Sequence, residues 1–169
     1  MNLEFDSLVK KLYSGTIVKE EFVKLYFNGK IPSEHDILDL IAYAISIKDS
    51  RLIEEVVVLL YTGYFKTESF LLVLCGLLSA HWHIKHEDIV TLLKEIKSPK
   101  AVNCLYSAVE LRFAYLDYDD TYQFARKCIK ALSVIGDENA VEKLKLLTNS
   151  KIPIIGEYAE RELRNKGVL

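Results

Sequence analysis

Three stretches of this chain carry one apolar register around one turn. Offset by 39 residues, VTLLKEIKSPKAVNCL (90–105) falls on IKALSVIGDENAVEKL (129–144). Val90 meets Ile129, Leu93 meets Leu132, Ile96 meets Ile135, Ala101-Val102 meets Ala140-Val141, and Leu105 meets Leu144. Ser98-Pro99 meets Asp137-Glu138 at the turn. Shifted back by 49, the same segment falls on IAYAISIKDSRLIEEV (41–56), with Ile96-Lys97 on Ile47-Lys48, Val102 on Ile53 and Leu105 on Val56. Each stretch reads as a helix, a tight turn and a second helix folding back. One such hairpin cannot bury its own apolar faces, so the constraint is on architecture: hairpins must stack on hairpins.

The rest of the chain has the same periodicity. Apolar residues recur at i, i+3, i+4 and i+7, and two-residue alternation is absent, which predicts an all-α fold. The first helix runs from about Leu3 to Tyr13, and the second from about Lys19 to Phe27, stopped by Asn28-Gly29. Ser33, with Asp36 three residues on, opens a third helix striped by Ile37, Leu40, Ile41, Ala44 and Ile45. Asp49-Ser50 caps a fourth, from Arg51 to about Tyr61, and Thr67 opens a fifth through Ser79. His86 to Ile96 is the sixth. Ser98-Pro99 opens a seventh that the periodicity carries to about Tyr115. The eighth spans about Thr121 to Val134 and the ninth about Glu138 to Leu147, with Gly136-Asp137 as the turn between them. The last follows Pro153.

Composition narrows the class. The chain has 169 residues, about one domain, and half of them are hydrophobic. Cys75, Cys104 and Cys128 form no CxxC pair and sit in apolar helical patterns. That reading gives reduced thiols and a cytoplasmic protein. The N-terminus, MNLEFDSLVKK, has no signal-like apolar core. The longest apolar run, FLLVLCGLLSA (70–80), is too short to span a bilayer. Charge is uneven: residues 31–120 carry 14 acidic and 8 basic side chains, whereas residues 121–169 carry 6 acidic and 9 basic. An acidic middle beside a basic end suits a charged partner.

Over roughly residues 80–165 the chain resembles bacterial HEAT-like repeat proteins. The residues carrying this are WHIKHEDIVTLLKEIKSPKAVNCLY (82–106), the connector LDYDD (116–120), ARKCIKALSVIGDENAVEKLKLL (125–147) and IGEYAERELRN (155–165). The spacings of 39 and 49 bracket the roughly 40–47 residues of HEAT and armadillo units. The resemblance implies an α-solenoid of stacked antiparallel hairpins, with residues 1–169 as a single domain. Residues 1–30 would be the N-terminal cap, 31–150 the repeats and 151–169 the C-terminal cap. Proteins of this kind are encoded beside polymorphic or contact-dependent toxins and include immunity proteins. The implied function is a monomeric, protein-binding scaffold that neutralises a cognate toxin with a basic active-site surface. The alternative is a HEAT-like nucleic-acid-binding protein of DNA-repair type.

Several residue groups bear on that choice. Tyr115, Asp117, Tyr118, Asp119, Asp120 and Tyr122 pack three carboxylates and three tyrosines into one connector. Carboxylates pair with Lys and Arg on a basic partner, and tyrosine adds rigid contact area with a polar tip. The competing reading makes Asp119 or Asp120 a helix cap and the tyrosines packing residues. Trp82, the only tryptophan, is either core or an interface anchor. His81, His83 and His86 have metal-like spacing but no evident fourth ligand, so a structural or partner-contact role is preferred and no metal is expected. Glu54, Glu55, Asn103, Ser107, Glu110 and Glu142 lie at outward helical positions. Partner-binding residues are thus Tyr115, Asp117, Tyr118, Asp119, Asp120, Tyr122, Trp82, His83 and Glu110. Arg126, Lys127, Lys130, Lys143 and Lys145 form a basic region without aromatic interleaving. No phosphate-binding loop, nucleophile elbow or HExxH occurs, so neither an enzyme nor a cofactor is expected.

Overall fold

The structure, a computed structural model, describes residues 3–65, 67–116 and 120–169. It is all-α: ten α-helices and three short 3-10 turns occur among the described residues, with no strand. The helices are α1 (Leu3–Tyr13), α2 (Lys19–Tyr26), α3 (Glu34–Ile47), α4 (Ser50–Tyr61), α5 (Leu71–Leu77), α6 (His86–Ile96), α7 (Val102–Ala108), α8 (Gln123–Ile135), α9 (Glu138–Leu147) and α10 (Pro153–Asn165). None is long and apolar enough to cross a membrane. Contacts divide the chain into two compact units, residues 1–69 and 70–169.

The first unit contains α1–α4. α1 packs on α2 and α3 on α4. Phe5 meets Phe22 and Tyr26 edge-on, at ring distances of 6.2 and 5.8 Å. Ser33 and Asp36 form the full capping box at the start of α3. Arg51 on α4 pairs with Asp6 on α1. Glu55 does not face outward: it is 6% exposed and accepts a 2.8 Å hydrogen bond from the Tyr26 hydroxyl. One turn of α4 separates Arg51 from Glu55, and Arg51 also lies 3.5 Å from it, so this acid belongs to an internal polar cluster.

The second unit contains α5–α10. α8 packs against α6, α7, α9 and α10; α9 also packs on α7 and α10, and α5 on α6 and α7. Each helix therefore has its neighbours at one and two places along the chain. Gly156 lets α10 approach the end of α9: a Cβ there would stand 3.0 Å from the Thr148 carbonyl oxygen.

The three aligned turns share a backbone. Lys48 (φ 54°), Lys97 (φ 54°) and Gly136 (φ 65°) occupy one register position, all left-handed. The next residues, Asp49, Ser98 and Asp137, accept backbone N–H bonds from Leu52, Lys100 and Ala140. Around them Ile41, Val90 and Ile129, then Ala44, Leu93 and Leu132, then Val56, Leu105 and Leu144 are each at most 2% exposed. Glycine adopts the left-handed conformation without the clash a side chain brings. Lys97→Gly is therefore expected to stabilise the protein by about 0.5–1 kcal/mol. Denaturant midpoints check this, and an unchanged or lower midpoint would show that the lysine stem earns more at that turn than its backbone costs.

Two helix boundaries depart from the periodicity. Residues 67–70 form a 3-10 turn, and α5 spans only Leu71–Leu77. α7 stops at Ala108, seven residues before Tyr115. Val109 and Leu111 donate to the carbonyls three residues back, Tyr106 and Ala108, which tightens and closes the helix. The chain then turns Phe113 inward to 4% exposure. No glycine or proline marks this stop; tertiary burial of Phe113 overrides the local pattern.

The cysteines also differ from expectation. Cys75 on α5 and Cys104 on α7 form a disulfide, and Cys128 on α8 is a free, buried thiol. Cys75 and Cys104 are therefore not the reduced thiols expected, whereas Cys128 is. Helix packing brings two cysteines, 29 residues apart, to a Cα–Cα distance of 5.6 Å, within the range a disulfide bridges. Disulfides persist in oxidising compartments, so the cysteines no longer argue for the cytoplasm.

Candidate functional site

The most elaborate cluster lies where α6 begins and the segment after α7 returns. His86, the first residue of α6, is fully buried, and His83 is 2% exposed. Their rings stack at 4.2 Å, and Phe113 stacks on the other side of His86 at 3.6 Å. Phe124 on α8 meets Phe113 edge-on at 5.3 Å.

The ring nitrogens are all engaged, and their partners fix the tautomers. His86 Nε2 lies 2.9 Å from the Ala80 carbonyl, which only accepts, so Nε2 donates. Nδ1 of the neutral ring then accepts from the Tyr115 hydroxyl at 3.0 Å. His83 follows the same logic: Nε2 donates to the Leu77 carbonyl at 2.9 Å, and Nδ1 accepts from the Lys85 N–H at 3.1 Å. No lone pair is left to aim at a common metal, and no group of three potential ligands occurs among the described residues.

Burial, helped by the neighbouring His83, pushes the pKa of His86 down from 6.5 to about 4. Burial likewise holds His83 below its ordinary value. The unfolded chain takes up the His86 proton near pH 6.5, whereas the fold resists it until about 4. This contribution to stability is therefore full above about pH 6.5 and is lost as pH falls toward 4, by about 3 kcal/mol. Denaturant midpoints at pH 7.5 and 4.5 should fall less in His86→Phe than in the parent. An equal fall would place the acid sensitivity elsewhere.

Around this buried stack lies a surface groove of about 370 Å³, lined by His81, Trp82, His83, Ile84, Phe113, Ala114 and Tyr115. Ile84 is 57% exposed. Trp82 is half-buried, its ring edge-on to His83 at 5.2 Å. His81 is exposed and lies 5.2 Å from Phe113. The indole N–H of Trp82 has no acceptor among the described residues. The groove thus offers aromatic and aliphatic area at the surface, as interface anchors do.

Comparison with family models, with curated proteins and with solved structures gave no match.

The residues singled out from the sequence separate into distinct groups. Tyr115 and Trp82 line the groove together, whereas His83 is committed to the interior and has almost no surface to offer a partner. Asp117, Tyr118 and Asp119 lie outside the described residues. Asp120 and Glu110 are exposed. Asp120 does not cap α8. The cap position belongs to Tyr122, left-handed at φ 54° and without a side-chain cap bond. Its ring lies 3.8 Å from the Arg112 guanidinium carbon, a cation–π contact. The adjacent Thr121 carbonyl accepts a 2.7 Å bond from the Tyr158 hydroxyl of α10. Arg126 approaches the Tyr158 ring at 5.7 Å. Sequence reasoning missed Phe113, Ile84 and Ala114, which shape the groove. Phe113 follows Arg112 with no turn residue near it, so nothing in the pattern distinguishes it from an ordinary helical core position.

Proposed function

We propose that this chain is a protein-binding scaffold, and in its specific form an immunity protein that neutralises a cognate bacterial toxin. The groove at Trp82 carries the reading: it joins half-buried aromatic area to an exposed aliphatic side chain, Ile84. The helix neighbours of the second unit, at one and two places along the chain, support a HEAT-like stack of hairpins. The net acidity of residues 31–120, with Glu110 and Asp120 exposed, favours a partner with a basic surface. The Cys75–Cys104 disulfide favours an oxidising compartment for the encounter.

Affinity capture from the native host, with a Trp82→Ala bait beside the parent, tests the proposal. The parent is expected to retain a basic toxin domain, and Trp82→Ala to weaken its binding by about 2 kcal/mol or more with little change in melting temperature. Capture of no protein by the parent, or equal capture by both baits, would count against the groove as the contact surface.

A further inference from the structure

Three lysines of the second unit come together at a second place, apart from the groove. α6 and α8 pack side by side and leave a cavity of about 90 Å³. Val90, Thr91 and Lys94 line it from α6, and Lys127 and Lys130 from α8. Helical spacing accounts for this: positions three and four apart share a face, so Val90 with Lys94, and Lys127 with Lys130, turn the same way. Three lysines therefore border one small space and leave it net positive even with the two carboxylates that pair with Lys127 and Lys130.

Two carboxylates are already present, and their placement matters. Glu162 on α10 pairs with Lys130 at 3.0 Å; the acid's side chain is 8% exposed and the lysine's 53%. Glu87 pairs with Lys127 at 3.3 Å, at 30% and 43% exposure. In both pairs the acid is the more buried member. An ammonium has three N–H donors, and one carboxylate does not occupy them all. Lys94 makes no ion pair or hydrogen bond among the described residues. The Thr91 hydroxyl donates to the Glu87 carbonyl at 3.1 Å and so adds no free donor.

We propose that this cavity binds a small, multiply charged phosphate-type anion. Lys94, Lys127 and Lys130 are its ligands, and Glu87 and Glu162 position the last two. Its volume, about 90 Å³, leaves room for a small tetrahedral oxyanion. Ammonium groups bind such an oxyanion as point charges. The site shares no residue with the Trp82 groove, so the two proposals fail independently.

Calorimetric titration with inorganic phosphate and with pyrophosphate, at low ionic strength and constant chloride, tests it. One saturable site is expected, tighter for pyrophosphate, weakening as chloride rises. Lys94→Gln should bind about tenfold or more weakly. Its melting temperature without anion should not change, because Lys94 has no partner to lose. Lys151→Gln, an exposed lysine elsewhere, should bind as the parent does. Absence of a saturable heat, or equal losses in both variants, would overturn the proposal. So would duplex DNA that binds more tightly than pyrophosphate and loses that binding in Lys94→Gln, because the ammonium groups would then follow a nucleic-acid backbone.

Discussion

Phe113→Ala is expected to cost about 3–5 kcal/mol. Its ring is 4% exposed and is bordered by His86 at 3.6 Å, His81 at 5.2 Å, Phe124 at 5.3 Å and Tyr115 at 6.0 Å. Truncation removes a face from each of those contacts and leaves a hole beside two buried imidazoles, which cannot collapse into it without breaking bonds to Leu77, Ala80 and Tyr115. Urea denaturation monitored by circular dichroism reads the loss, with Leu72→Ala as the control. Leu72 is 79% exposed, so its truncation should stay within about 0.5 kcal/mol. A Phe113→Ala loss below about 1 kcal/mol would mean that the aromatic stack is not a unit of stability.

Opening the Cys75–Cys104 disulfide should rank next. In the chain-entropy picture, a loop of this length, 29 residues, contributes about 3–4 kcal/mol by restricting the unfolded chain. Melting temperature should drop on adding dithiothreitol to the parent and stay put in Cys75→Ala/Cys104→Ala, which starts from the lower value. Thiol counting supplies an independent check. Burial raises the Cys128 thiol far above its ordinary pKa, so the native protein should react slowly. Unfolded without reductant it should show one thiol, and after reduction three. Three thiols without reductant, or a parent indifferent to dithiothreitol, would contradict the pairing.

What the sequence disclosed follows from the range over which each signal acts. The aligned turns were legible because helix stop, cap and apolar register are all local: Lys48, Lys97 and Gly136 fall on one backbone conformation, and Asp49, Ser98 and Asp137 on one cap position. The all-α class came from the same periodicity. The end of α7 was not legible, since Ala108 to Phe113 contains no breaker and the stop depends on where Phe113 finds its pocket. Nor was the pairing of Cys75 with Cys104, which requires knowing that α5 lies against α7. Glu55 looked like a surface acid by spacing, yet it is 6% exposed and tied to Tyr26. A helical wheel shows direction but not what stands opposite. At the groove, Trp82 and Tyr115 were visible as unusual residues, whereas Ile84, Phe113 and Ala114 were ordinary ones made important by three-dimensional placement.

The link between Cys75 and Cys104 also changes the topology of the molecule. It closes residues 75–104 into a covalent ring that contains all of α6, both buried histidines and Trp82. A protease that nicks the backbone anywhere inside that ring releases no fragment: the two pieces stay joined and run as one band until the gel is reduced. The ring is also the natural place to open new chain ends, because a cut there leaves the flanking helices tethered as before.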